Sequence, residues 1–315
     1  MILSLIAGLV LLALGGELLV RGAVGLAQRI GVSPLLAGLV IVGFGTSTPE
    51  LSTSIQAALA GSPGIAIGNV VGSNIANILF ILGLSALILP LAVNRAAFRR
   101  DAIALAGSTL LCAATILLGS LGRVSGAVLL ACLAGYIVWA YRSERAFADP
   151  EGKRHEAEAA DTTPAVRGIL PLALMVVAGL AAAIYGAGLL VDAAIVLAQS
   201  LGVSETVIGL TVVAVGTSLP ELIACLIAVA RRHADVALGN IVGSNIYNVL
   251  GILGATAVIE PLAVPPELAR FDVWVLLGVT ALLLAQLRSG WTVSRAEGGL
   301  LLTLFIGYTA FLIMR

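Results

Sequence analysis

Gly45-Thr46-Ser47-Thr48-Pro49-Glu50-Leu51 recurs 171 residues later as Gly216-Thr217-Ser218-Leu219-Pro220-Glu221-Leu222. Each copy is followed, at the same offset, by a second shared stretch. Gly68-Asn69-Val70-Val71-Gly72-Ser73-Asn74-Ile75-Ala76-Asn77 returns as Gly239-Asn240-Ile241-Val242-Gly243-Ser244-Asn245-Ile246-Tyr247-Asn248. Between 43–77 and 214–248, sixteen of thirty-five positions are identical without a gap. Leu, Ala and Val matches arise from composition alone in so apolar a chain. Shared Glu, Asn, Ser, Thr and Pro do not. The offset also holds outside the motifs: Leu26-Ala27-Gln28 matches Leu197-Ala198-Gln199, Gly31-Val32-Ser33 matches Gly202-Val203-Ser204, and Pro90-Leu91-Ala92-Val93 matches Pro261-Leu262-Ala263-Val264. The chain reads as two homologous halves.

The background of the motifs is lipid-like. Of 315 residues, 60% are hydrophobic and 11% charged, where a soluble protein carries about 25% charge. Ten apolar segments, 2–20, 35–60, 65–90, 102–120, 124–142, 168–190, 206–231, 234–260, 272–288 and 297–314, approach the ~20 residues that a membrane-crossing helix needs. They are twice the length of a barrel strand and do not alternate. The expected fold is therefore all-α and integral to the membrane. The first segment lacks a basic stretch before it, and Arg21 follows it, so it reads as a retained helix and not a signal peptide. Seventeen basic and seventeen acidic residues cancel, which disfavours nucleic acid as a partner. No protein partner is implied. Cys112, Cys132 and Cys225 lie in apolar runs without metal-ligand spacing and read as small buried side chains.

Basic residues give an orientation. With both termini outside, fourteen of the seventeen fall in odd-numbered, cytoplasmic connections, and only Arg123, Arg270 and Arg315 remain outside, as the positive-inside rule requires. The connection 143–167 is polar and of mixed charge, which suits a solvated cytoplasmic linker. The expected organisation is 1–142 as a first five-helix repeat, 143–167 as the linker and 168–315 as a second. Five helices is an odd number, so the second repeat enters the membrane inverted, an architecture that places sites at the repeat interface near the midplane.

Glu50 is the one charge between Arg29 and Arg95, and Glu221 the one between 206 and 230. An ionised carboxylate at membrane depth costs at least a few kcal/mol, and neither span offers a base to pair with it. A permanently protonated Glu would not explain the polar set repeated around both. Thr46 and Glu50, four apart, share a helix face, as do Thr217 and Glu221. Asn69, Ser73 and Asn77 form a stripe on the next helix, repeated as Asn240, Ser244 and Asn248. Pro49 and Pro220 disturb the helix just before each Glu, and Gly45 and Gly216 ease unwinding there. Carbonyls released in this way are useful where they line a cavity. An oxygen-only donor set suits hard cations such as Ca²⁺ and Na⁺, and Mg²⁺ less well because it dehydrates reluctantly.

These paired motifs resemble the two alpha-repeats of the sodium/calcium exchanger family, within the cation/calcium antiporters, in its prokaryotic type. The resemblance covers nearly the whole chain. It implies ten helices in two inverted five-helix repeats, with helices 2, 3, 7 and 8 around the ions, and an inner-membrane location. It implies Glu50 and Glu221 as carboxylate ligands, with Thr46, Ser47, Thr217 and Ser218 as hydroxyl ligands. Ser73, Ser244, Asn77 and Asn248 complete the implied set, and Gly43 and Ala214 match positions that lend backbone carbonyls. Glu17 and Asp192 lie in family-like stretches but are not matched to each other and read as interfacial or structural.

The expected activity is exchange of Ca²⁺ for Na⁺ across the membrane by alternating access, with no cofactor and no enzymatic step. Two glutamates give a charge of minus two that one Ca²⁺, two Na⁺ or two protons would cancel, so Ca²⁺/H⁺ antiport is the alternative. Asn at 248, where potassium-dependent members of the family carry Asp, weakens a potassium-dependent reading. A cation channel would carry ions without a counter-ion. An intramembrane enzyme would need a nucleophile, zinc set or cofactor motif that does not accompany the two carboxylates.

Overall fold

A computed structural model describes residues 2–92, 95–146, 168–200 and 214–314. Helix α1 (Ile2–Ile30) is ten residues longer than the apolar segment 2–20. Its 29 residues span roughly 43 Å at 1.5 Å each, so the helix continues past the hydrocarbon core and carries Arg21 and Arg29 on its last turns. Ser33 accepts from the Leu36 backbone N–H at 3.1 Å and Pro34 occupies the first turn, a pairing that starts helices well. The segment 35–60 is not one rod. It forms α2 (Pro34–Thr46) and α3 (Thr48–Leu59), bent by 41° at Ser47.

Next come α4 (Pro63–Ile88), α5 (Arg95–Leu117), α6 (Arg123–Ala146) and α7 (Ile169–Ser200). Residues 147–167, most of the expected linker, lie outside the described residues, as do 206–213 of the seventh apolar segment. That segment resumes as α8 (Ala214–Thr217) and α9 (Leu219–Ala230). The chain then forms α10 (Ala234–Ile259), α11 (Leu268–Gly290) and α12 (Arg295–Met314). Among the described residues, seven helices are long and apolar enough to cross a membrane, eight if the bent pair counts as one. Both α4 and α10 stop just before a proline, Pro90 and Pro261, which disfavours helix in the preceding residue. The protein is a multi-pass membrane protein built almost wholly of helix.

Burial places α4 and α10 at the centre: 67% and 83% of their apolar windows are enclosed, against 28% for α6 and 22% for α7. Cys112 and Cys225 are buried, but Cys132 is exposed on α6, contrary to the sequence expectation. A thiol is apolar enough to face lipid as readily as core, and α6 is a peripheral helix. Helix α2 crosses α10 at backbone distance. A Cβ on Gly239 would stand 2.3 Å from the Leu35 carbonyl oxygen, and one on Gly243 2.2 Å from that of Leu39. No other residue fits this crossing.

Residues 171 apart meet each other. Thr109 and Thr280 share a hydrogen bond at 3.5 Å between α5 and α11, and Asn74 Nδ2 donates to the Asn245 carbonyl at 3.2 Å between α4 and α10. Two short antiparallel ladders tie the halves at their ends. β1 (Leu91–Ala92) pairs with β4 (Thr292–Val293), and β2 (Ser120–Leu121) pairs with β3 (Leu262–Ala263). Helix α5 runs from the first ladder to the second, so the two lie at opposite ends of the bundle. Arg100, one of the fourteen bases assigned to the cytoplasmic connections, is buried on α5. It grips Asp101 with two nitrogens, at 2.6 and 2.9 Å, and donates to the Ala140 carbonyl at 3.1 Å. Tyr136 also donates to Asp101, at 2.9 Å, which pins α6 to α5.

Candidate functional site

The two proline-containing motifs break their helices at Ser47 (φ −79°, ψ 12°) and Ser218 (φ −90°, ψ 8°), and Pro49 and Pro220 sit in the first turns of α3 and α9. Proline costs nothing there, because first-turn N–H groups have no partner within the helix. Glu50 and Glu221 occupy those same first turns, where the positive end of the helix dipole favours a carboxylate. Both are buried, at 1% and 2% exposure. Among the described residues neither is paired with a base.

Each carboxylate is instead held by the other half. Ser47 Oγ lies 2.8 Å from Glu221 Oε1, and Ser218 Oγ lies 3.1 Å from Glu50 Oε1. Thr46 Oγ1 also faces the other half, 3.3 Å from Asn240 Oδ1. Backbone oxygens beside the break accept hydroxyls as well. The Gly43 carbonyl, 2.9 Å from Ser47 Oγ, competes with Glu221 for that hydroxyl's one proton and receives Ser244 Oγ at 3.1 Å, and the Val42 carbonyl receives Thr46 Oγ1 at 3.0 Å. Hydroxyls that donate to these carbonyls keep their lone pairs available on the other side. Ser73 is buried on α4, four residues before Asn77. Ala214 opens α8.

Asn77 and Asn248 each begin a π-helical turn, Asn77–Leu82 and Asn248–Leu253. Such turns widen the helix locally and are frequent at functional sites. Four buried oxygens of this group have no hydrogen-bond partner: Glu50 Oε2, Glu221 Oε2, Asn77 Oδ1 and Asn248 Oδ1. Leaving a buried acceptor unsatisfied costs about 1–3 kcal/mol, more for a charged group. Four of them on helices packed against one another make a donor set suited to a cation, two carboxylates with neutral oxygens.

The first residue of each oxygen stripe does something else. Asn69 Nδ2 donates to the Glu50 carbonyl at 3.1 Å and to Ser54 Oγ at 2.9 Å. Asn240 Nδ2 donates to the Glu221 carbonyl at 3.2 Å and to Cys225 Sγ at 3.1 Å. These amides therefore clamp the backbone beneath each glutamate, with Ser54 and Cys225 in equivalent roles. Asn74 and Asn245 were not singled out from the sequence. They sit one residue off the i, i+4 stripe, and that displacement turns them toward the opposite half. Glu17 stands apart, paired with Arg21 on its own helix and with Arg231 at the end of α9. Asp192 is exposed on α7.

The family profile described as "sodium/calcium exchanger protein" matches residues 1–142 and 171–314. A putative antiporter, CaxA, of Alkalimonas amylolytica is 40% identical over 96% of this chain and 95% of its own. The sodium/calcium exchanger MaX1 of Methanosarcina acetivorans is 32% identical over 99% of this chain and 97% of its own. Among solved structures, the sodium-calcium exchanger NCX_Mj superposes with a TM-score of 0.84 at 31% identity, covering 99% of this chain and 98% of that one.

Proposed function

The chain belongs to the sodium/calcium exchanger family, and from that premise we propose that it is a secondary active antiporter exchanging Ca²⁺ for Na⁺ at one site between its halves. The observation that carries this reading is the set of four buried, unpartnered oxygens on Glu50, Glu221, Asn77 and Asn248. In this reading the two carboxylates supply the fixed charge and the two amides complete the centre. Thr46, Ser47, Thr217, Ser218, Ser73 and Ser244 add hydroxyl oxygens, with the Gly43 carbonyl beside them. Oxygen donors of this kind suit Ca²⁺ and Na⁺.

The halves are two inverted five-helix repeats, 1–142 and 168–315, joined by a cytoplasmic linker at 143–167, with ten crossings and both termini outside the inner membrane. Three features support the inversion. Helices α1 and α7 pack antiparallel, with Gly15 against Gly179 and Gly8 against Gly186. Residues 171 apart touch at Asn74 and Asn245. The end ladders exchange partners between halves.

A site of charge minus two would be costly to seal into a low-dielectric interior without cargo. Exchange, rather than leak, follows from that cost. One Ca²⁺ or two Na⁺ neutralise the pair, after which α1 and α7 slide together against the core to change the side of access. The test is ⁴⁵Ca²⁺ transport in proteoliposomes after an imposed sodium gradient at fixed pH. Sodium-driven Ca²⁺ flux that is lost in Glu50→Gln and Glu221→Gln is expected. Flux driven by a proton gradient and indifferent to sodium would make the protein a Ca²⁺/H⁺ antiporter. Flux without any counter-ion would make it a channel. Wild-type exchange in both Gln variants would overturn the site.

A further inference from the structure

A side-chain amide can present either its oxygen or its NH₂ group, and only the oxygen serves a cation. Which end faces a site is decided by what the other end meets. Asn248 Nδ2 donates to Asn74 Oδ1 at 2.9 Å. Asn74 is itself fixed, because its own Nδ2 donates at 3.2 Å to the backbone carbonyl of Asn245, a group that can only accept. Asn74 Oδ1 is therefore the atom turned to Asn248, and it requires the NH₂ end of Asn248 to face it. The Asn248 oxygen is left pointing away from that bond, buried and without a partner. A reversed Asn248 would lose this bond, set two acceptors against each other and put its NH₂ where the unpartnered oxygen now stands.

We propose that Asn74, which touches no proposed cation itself, is a positioning residue that holds Asn248 with its amide oxygen toward the site. This inference rests on the reading of Glu50, Glu221, Asn77 and Asn248 as the centre of a cation site. It also makes the halves inequivalent. The matching bond from Asn77 to Asn245 is not made: Asn245 Nδ2 turns to the Ile241 carbonyl of its own helix at 3.0 Å, and Asn245 Oδ1 has no partner. Asn248 is thus oriented by a bond that has no counterpart at Asn77.

The experiment is equilibrium ⁴⁵Ca²⁺ binding to the purified full-length protein in detergent. Asn74→Leu removes both hydrogen bonds at nearly constant volume and is made in the native background and in Asn248→Asp. An ionised carboxylate at 248 has two equivalent oxygens and needs no orienting. Asn74→Leu is expected to weaken Ca²⁺ binding about tenfold in the native background, the equivalent of one net hydrogen bond. In Asn248→Asp, whose carboxylate sets an acceptor against Asn74 Oδ1, the same change should not weaken binding. Equal weakening in both backgrounds would assign Asn74 to packing alone and overturn the proposal, as would no change in the native one. If the leucine variant does not fold, Asn74→Ala, too short to reach Asn248, carries the same expectations. Glu50→Gln is the control for the site. Its binding Ca²⁺ with native affinity would bring down the cation-site reading itself, whereas its loss of binding beside an indifferent Asn74→Leu would bring down only the role of Asn74.

Discussion

Ser47 and Glu221, from opposite halves of the chain, meet at 2.8 Å, and Ser218 returns the contact to Glu50 at 3.1 Å. Each carboxylate thus depends on a hydroxyl from the repeat that does not contain it. A structure that separated the halves would lose both glutamates' partners at once.

Ser47→Ala and Ser218→Ala should therefore each weaken Ca²⁺ transport through affinity. A hydrogen bond to a charged group is worth about 1.5–3 kcal/mol, so the KM for Ca²⁺ should rise roughly ten- to a hundredfold. Initial rates of ⁴⁵Ca²⁺ uptake across a concentration series read this directly. An unchanged KM in both variants would show that the crossed contacts contribute nothing to the site.

Helices α1 and α7 touch through glycine. A Cβ on Gly179 would stand 2.5 Å from the Leu19 amide nitrogen and 2.7 Å from the Gly15 carbonyl oxygen, whereas one on Gly188 of the same helix meets nothing within 4 Å. Gly179→Ala should force the pair apart and cost about 1–3 kcal/mol of stability. Gly188→Ala should have no such effect. Thermal unfolding of the two variants in one detergent separates them, and equal melting temperatures would contradict the close contact.

Glu17 is the control for charge. It is partly exposed and already paired with Arg21 and Arg231, and exposed ion pairs contribute about 0–1 kcal/mol. Glu17→Gln should leave Ca²⁺ affinity within about twofold of native, unlike either buried glutamate. A loss as large as that of Glu50→Gln would place Glu17 in the ion path.

The turn after α9 holds a strained residue. Arg232 has φ 61°, while its counterpart 171 positions earlier is Gly61 with φ 73°. A side chain in this left-handed region costs roughly 1–2 kcal/mol, so Arg232→Gly should stabilise the protein by about 1 kcal/mol. Chemical denaturation of the purified variant would show it as a raised midpoint; a lowered midpoint would mean that the arginine side chain contributes more than the strain removes.

Much of this was legible in the chain. Apolar runs marked the helices, and the lone Glu50 and Glu221 stood out because nothing in their spans could neutralise them. The helix bounds were less clear, since α1 and α7 continue past the apolar residues that lipid requires. Cys132 was misplaced because an apolar run looks the same whether it faces lipid or protein. The burial of Arg100 was not legible because its partner, Asp101, is its own neighbour, and neighbours on a helix ordinarily diverge.

The sequence by itself determined the membrane class, the duplication at 171 residues and the oxygen-bearing residues, because composition and spacing act within single helices. The tertiary structure alone decided which oxygens are used and which are left open. Spacing places Thr46 with Glu50 on one face, but only the packing of α2 and α3 against α8, α9 and α10 brings Ser47 to Glu221. It also assigns Asn69 and Asn240 to clamping backbone, and Asn74 to Asn248. Those contacts join residues more than 150 positions apart, or cross between helices, and the register between two helices is set by how their surfaces interlock rather than by the period of either one.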